Sequence, residues 1–188
     1  MISKKSTNKR MLLILAVVFI LPVILAKIAL DNNWFTQAAT NKGQLLTPPL
    51  ALTVLPDLGA DSKWHIFYVL PPQCDEACDN ALYSLGQVWL ALGKETDRVE
   101  SLVISTALSD QAAVATLSQQ SVVKLLKSNE KTVNSVFKDE PTDGIFIADT
   151  LNNIILRYPL YLEKQQAILH SRDILSDMRK LLKLSRIG

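Results

Sequence analysis

Apolar and polar residues alternate along this chain in blocks with different periods. Residues 11–30 read M-L-L-I-L-A-V-V-F-I-L-P-V-I-L-A-K-I-A-L, an apolar run broken by Lys27. As a helix rising about 1.5 Å per residue, it reaches roughly the 30 Å of a bilayer's hydrocarbon core. Residues 31–47 then lose all periodicity. Asn32, Asn33, Thr36, Gln37, Thr40 and Asn41 build no core face, so the segment reads as a tether. Pro48 and Pro49 stiffen the chain ahead of a short edge strand over 50–55. Residues 64–70, W-H-I-F-Y-V-L, are aromatic and β-branched like a buried central strand, and Pro71-Pro72 end it. Over 75–92 the apolar positions Ala77, Ala81, Leu82, Leu85, Val88, Trp89 and Leu92 recur at helical steps, and Gly93 supplies a stop. A second strand is predicted over 98–106, and helix in at least two pieces over 110–127. Residues 144–149 and 153–158 flank Thr150-Leu151-Asn152, which is hairpin spacing with a turn-favouring asparagine. A last helix over 170–184 carries Ile174, Leu175, Met178, Leu181 and Leu182 on one face.

The predicted order is strand, helix, strand, helix, hairpin, helix. Two strands joined through a helix run parallel, and a late hairpin adds antiparallel pairs. The fold class is therefore α/β: a thioredoxin-like mixed sheet flanked by helices and preceded by one transmembrane helix. The chain divides into a basic cytoplasmic tail (1–10), a transmembrane anchor (11–30), a periplasmic tether (31–47) and a thioredoxin-like domain (48–188).

Charge sets the orientation. Lys4, Lys5, Lys9 and Arg10 precede the apolar run and no acidic residue does. The bias of basic residues toward the cytoplasm puts the N-terminus inside and the domain on the outer face of a bacterial inner membrane. A cleaved signal peptide is the rival reading. Its apolar stretch is about 7–15 residues with small residues at the cleavage site, whereas Ala26 here has Ile24 two places before it. In either case the domain is exported to a compartment where disulfides persist.

Composition narrows the chemistry further. The net charge is only +2, and the basic residues gather at the two ends with no interleaved aromatic stripe, which argues against nucleic-acid binding. With two cysteines, two histidines and three methionines, the chain cannot build a four-thiolate zinc site, an iron–sulfur cluster or a Met-rich copper site. No small-molecule cofactor is expected.

The candidate chemistry lies in P-P-Q-C-D-E-A-C-D-N, where Cys74 ends the strand region and Cys78 sits about a turn into the helix. Residues four apart share a helix face. The free amides and positive end of a helix favour a thiolate at Cys74. The pair can close a disulfide, act as catalytic thiols in exchange, or hold a soft ion such as Cu(I). Asp75, Glu76 and Asp79 oppose the thiolate, which points to a reducing or copper-holding pair rather than a strong oxidant. The structural alternative is a resting disulfide or two buried thiols. A four-residue spacing makes a poor staple, because the short loop it closes removes little unfolded-state entropy.

The Cys-x-x-x-Cys after a Pro-terminated strand, the N-terminal anchor and the late D-T-L-N-N-I-I-L-R-Y together resemble the Sco proteins, over roughly residues 63–184. These are thioredoxin-fold factors that assist the copper A centre of cytochrome c oxidase. The resemblance implies thiol–disulfide exchange or Cu(I) handling through Cys74 and Cys78, with Cys74 attacking and Cys78 resolving. It implies partners in the inner membrane, an exported oxidase subunit or a copper carrier. Sco proteins take a third ligand, a histidine, from the loop before the late hairpin. That loop here is F-K-D-E-P-T-D-G, residues 137–144, without histidine. His65 and His170 are read as packing or surface residues. Pro141 is a candidate for the cis-proline that thioredoxins carry beside the active site, or an ordinary loop proline. A second function class stays open: a non-catalytic scaffold of an oxidase assembly complex with a structural disulfide.

Overall fold

The computed structural model describes residues 5–31, 41–52, 58, 62–119, 121–138 and 140–185. It contains two compact units, residues 1–40 and 41–188.

In the first unit, α1 (Lys5–Asp31) contains the apolar run with Pro22 inside it. Its portion Lys9–Ala29 is long and apolar enough to cross a membrane, by length and composition. Most of the tether expected over 31–47 lies outside the described residues.

The second unit is built on a six-stranded sheet: β1 (Gln44–Ala51), β2 (Trp64–Val69), β3 (Val99–Ser105), β4 (Lys124–Lys127), β5 (Ile145–Ala148) and β6 (Asn153–Tyr158). The strand order is β1-β6-β5-β2-β3-β4. β2, β3 and β4 run parallel, while β5, β6 and β1 add antiparallel pairs. This is the mixed sheet predicted from the element order.

Period-two alternation along β2 divides its side chains between two cores. Trp64, Ile66 and Tyr68 face α2 (Glu76–Ala91) and α5 (Lys164–Leu184), packing with Leu85, Val88, Ile174, Met178 and Leu182. Phe67 joins the opposite core with Leu102, Ile104 and Phe146, against Val133, Val136 and Phe137 of α4 (Glu130–Phe137). Phe67, Phe146 and Phe137 form an aromatic chain with centroid spacings of 5.3 and 5.1 Å.

Several expectations are corrected. The edge strand begins at Gln44, within the segment read as tether, and Pro48-Pro49 lie inside it rather than before it. An edge tolerates proline because one row of its amides needs no partner. The pairing with β6 shifts register between Leu45 and Leu50 at that point. Helix does not fill 110–127. α3 (Gln111–Leu117) is a single short piece, and Lys124–Lys127 becomes β4 because pairing with β3 satisfies its backbone at the sheet edge. α4 was not anticipated; Asn129 caps it by accepting the Thr132 N–H at 2.7 Å. α5 starts at Lys164, six residues before the predicted start, with Ala167 buried. Of the two readings of Pro141, the ordinary loop proline holds, since it carries no cis bond; among the described residues the cis peptide bond is Thr47–Pro48. Gly93 does supply the helix stop, at φ 59°, and Asn152 makes the hairpin turn at φ 62°.

α5 also holds the first residues of the second unit. The Asp177 carboxylate, fully buried, accepts from the amides of Lys42 and Gly43, from the Tyr158 hydroxyl at 2.9 Å and from the Lys180 ammonium at 3.2 Å.

Candidate functional site

The loop after β2 delivers the cysteines. Pro71 and Pro72 cannot extend the ladder, so the chain leaves the sheet and turns into α2. Asp75 is the N-cap: its Oδ1 accepts the Cys78 amide at 2.9 Å. Cys74 therefore stands just outside the helix and Cys78 in its first turn. Their Cα atoms are 5.2 Å apart and the sulfurs are bonded. Exposure differs between them. Cys78 is sealed in the core on the α2 side, whereas Cys74 is only partly buried. An incoming group reaches one sulfur and not the other.

A second loop fixes Cys74. Asp110, the N-cap of α3, accepts the amides of Ala112 and Ala113 on Oδ1 and the Cys74 amide on Oδ2 at 3.0 Å. Its own amide donates to the Pro71 carbonyl at 2.9 Å. Asp110 thus clamps the loop carrying Cys74 to the loop that follows β3. These donors, the Cys74 amide first, hold its carboxyl below the usual carboxylate range. Asp110 was not among the residues singled out from sequence. Ser109-Asp110 before Q-A-A-V is a legible helix cap, but its reach to Cys74, 36 positions away, is a tertiary fact.

The electrostatics are acidic. The Asp79 Oδ1 lies 3.7 Å from the Cys74 sulfur. In the disulfide that sulfur has no hydrogen to donate; after reduction the same carboxylate favours the thiol over the thiolate. Two amides beside the sulfurs are already engaged, that of Cys78 by Asp75 and that of Cys74 by Asp110. Tyr68, at the end of β2, has its phenol held above the ordinary range by burial, then by Asp75 and Asp143.

Neither histidine joins the cysteines. His65 is 1% exposed on the α4 side of the sheet, its Nδ1 3.9 Å from Glu100. His170 lies on α5, stacked on Tyr161 at 4.1 Å and 3.2 Å from Asp173. Among the described residues no three His, Cys, Asp or Glu side chains cluster as metal ligands. Once reduced, Cys74 and Cys78 offer a two-thiolate donor set, which suits Cu(I).

A family model described as the transmembrane-like, thioredoxin-like C-terminal domain matches residues 64–185. No curated protein matches the chain in sequence. Sco proteins are among the solved structures similar to it. Copper-bound ScoI of Bradyrhizobium japonicum is 16% identical over 60% of this chain and 85% of its own, with a TM-score of 0.41. A Sco/SenC family lipoprotein of Bacillus anthracis is 15% identical over 64% and 82%, at 0.46. The thioredoxin domain of a Bacteroides vulgatus thiol-disulfide oxidoreductase is 13% identical over 65% and 81%, at 0.45. At such identities and TM-scores these structures assign no function to the chain.

Proposed function

We propose, from the premise that this chain belongs to the transmembrane-like, thioredoxin-like family through its C-terminal domain, that it is a membrane-anchored thiol–disulfide exchange protein. Its domain faces the periplasm of a bacterial inner membrane. The observation carrying this reading is the asymmetric pair: a bonded Cys74–Cys78 with Cys74 accessible and Cys78 sealed in the core. Cys74 thiolate attacks a sulfur of a partner's disulfide, and the partner's other sulfur leaves as a thiolate and takes up a proton. Cys78 thiolate then attacks Cys74, re-forming the bond and releasing the partner's second sulfur as a thiol. The partner gains two electrons, and an exported dithiol donor resets the pair. The partner class is an exported oxidase subunit or copper carrier. Support comes from the Cys-x-x-x-Cys and late hairpin shared with Sco proteins. Cu(I) passed between the two thiolates is the companion activity of the reduced pair.

The acidic surroundings set the direction. A strongly oxidising pair owes its potential to a stabilised thiolate in the reduced form; the nearby carboxylates remove that stabilisation, so the pair is a reductant. Equilibration of the purified full chain with a dithiol buffer is expected to give a potential closer to thioredoxin's, about −270 mV, than to the about −120 mV of a strong periplasmic oxidant. A value at the oxidising end removes the reductant role. Unchanged oxidase assembly in a Cys74→Ser strain establishes the scaffold alternative instead.

A further inference from the structure

α2 carries two stripes. One, through Cys78, Ala81, Leu85 and Val88, is buried in the core. The other, through Asp79, Leu82, Tyr83, Gly86 and Leu90, repeats at the same three- and four-residue steps on the outer side. Tyr83 and Leu90 on that stripe are 43% and 53% exposed. The outer stripe and α3 wall a groove of about 600 Å³. Cys74, Asp79 and Asp110 line one end, and Val122 lies opposite Gly86 along it. From Asp79 to Leu90 the track is about 16 Å long at helical rise, room for about five extended residues. A different cleft, at the ends of the strands, is lined by Pro71, Gln73, Asp75 and Thr142 and not by Cys74. The reactive sulfur therefore opens onto the α2–α3 groove.

We infer that this groove is the docking track for the partner segment that exchanges with Cys74, and that the segment is cationic beside its sulfur and apolar beyond it. The inference deepens the exchange function proposed above and rests on it. Two points argue for that occupant. Among the described residues the groove's lining includes the carboxylates of Asp79 and Asp110 at the sulfur end and no basic side chain; Lys164 Nζ lies 5.1 Å from the centre of the Tyr83 ring. An anionic segment would be repelled there, and a Lys or Arg neighbour is attracted. Beyond that end the walls are mainly apolar, and Gly86 removes the side chain that would block the middle: a Cβ there meets only Val122 Cγ1, at 3.9 Å. In the capture step the Cys74 thiolate bonds to the segment's sulfur, and the sulfur it displaces leaves as a thiolate.

The test uses the full chain in detergent, reduced and carrying Cys78→Ser, so that capture stops at the mixed disulfide. The probes are synthetic peptides whose one cysteine is joined to 2-nitro-5-thiobenzoate, whose release is read by absorbance. One has Arg neighbours and a Leu/Val tail, one has Glu neighbours and the same tail, and one is Ser/Gly only. The Arg peptide is expected to react about tenfold faster than the Ser/Gly peptide, with the Glu peptide slowest. High salt shrinks the difference. Adding Gly86→Leu fills the groove while improving helix propensity; it slows the Arg and Glu peptides by a like factor through their shared tail, and the Arg-over-Glu preference set at the sulfur end remains. Equal rates for all three peptides overturn the docking track, as does slowing of the Arg and Glu peptides by Leu108→Ser, in the other cleft, instead of by Gly86→Leu. Absence of reaction with every peptide defeats the exchange reading itself and the track with it.

Discussion

At the residue scale, His65 is a titratable group placed where its charge is least welcome. It is 1% exposed, with the side chains of Glu100 and Asn152 beside its ring. Burial lowers its pKa from 6.5, outweighing the opposite pull of Glu100. The unfolded chain therefore holds more protons than the folded one just below that value, and stability rises with pH there. The contribution is fully present above about pH 6.5 and is lost as pH falls through the depressed folded value. Urea unfolding at a series of pH values is expected to show the wild-type midpoint dropping below about pH 6.5. His65→Gln, which cannot charge, flattens that part of the profile. A profile identical in both proteins removes His65 as the cause. The cysteines differ from this case because their asymmetry follows from position: Cys78 faces the core from the first turn of α2, and Cys74 sits before the cap.

At the scale of elements, the domain is tied together by helix ends and chain entries more than by surface ion pairs. Arg98 donates to the carbonyls of Leu182 and Ser185 at the end of α5, and Arg179 of α5 donates to the Ala91 carbonyl at the end of α2. Each arginine satisfies carbonyls that the last helical turn leaves unpaired. The entry to β1 is held by Asp177 and by Tyr158, whose ring lies over Gly43. A Cβ on Gly43 would stand 2.5 Å from the Tyr158 ring carbon Cζ. Gly43→Ala is expected to destabilise the protein by about 1–3 kcal/mol, as overpacking does, read as a lowered denaturation midpoint. Gly86→Ala, where the nearest atom is 3.9 Å away, is expected to be neutral or stabilising by the same measurement. Comparable losses in the two variants contradict this account of Gly43.

At the scale of the whole molecule, a domain tied to one apolar helix differs from a freely diffusing thioredoxin in where it finds partners. In the proposed function, tethering raises the effective concentration of Cys74 toward partners held at the membrane. The full chain is expected to stay with the membrane fraction under alkaline extraction, and a chain starting after residue 30 to be released. Intact mass of the extracted protein is expected to include residues 1–26. A mature N-terminus near Lys27 shows cleavage and removes the anchor.

Much of this was legible along the chain because it depends on local period. The apolar run of α1, the β2 strand, the α2 stripe closed by Gly93 and the Asn152 hairpin each follow from residue types a few positions apart, and so does the placement of both cysteines at one strand-to-helix junction. Residues 124–127 were not legible. A four-residue apolar–basic piece suits helix or strand, and only the free edge of β3 decides. The same holds for β1, whose prolines read as a break until β6 is seen to need only part of its amides.

The sequence by itself determined which segments are apolar enough to span or to pack, and that two thiols stand four apart beside acids, because those properties belong to neighbours in the chain. Only the tertiary structure decided that Cys78 is sealed and Cys74 open, that Asp110 reaches back to hold Cys74, and that an outer stripe of α2 faces α3 across a groove. Those arise where distant segments meet on a sheet, and the contacts between them are set by packing rather than by any local period.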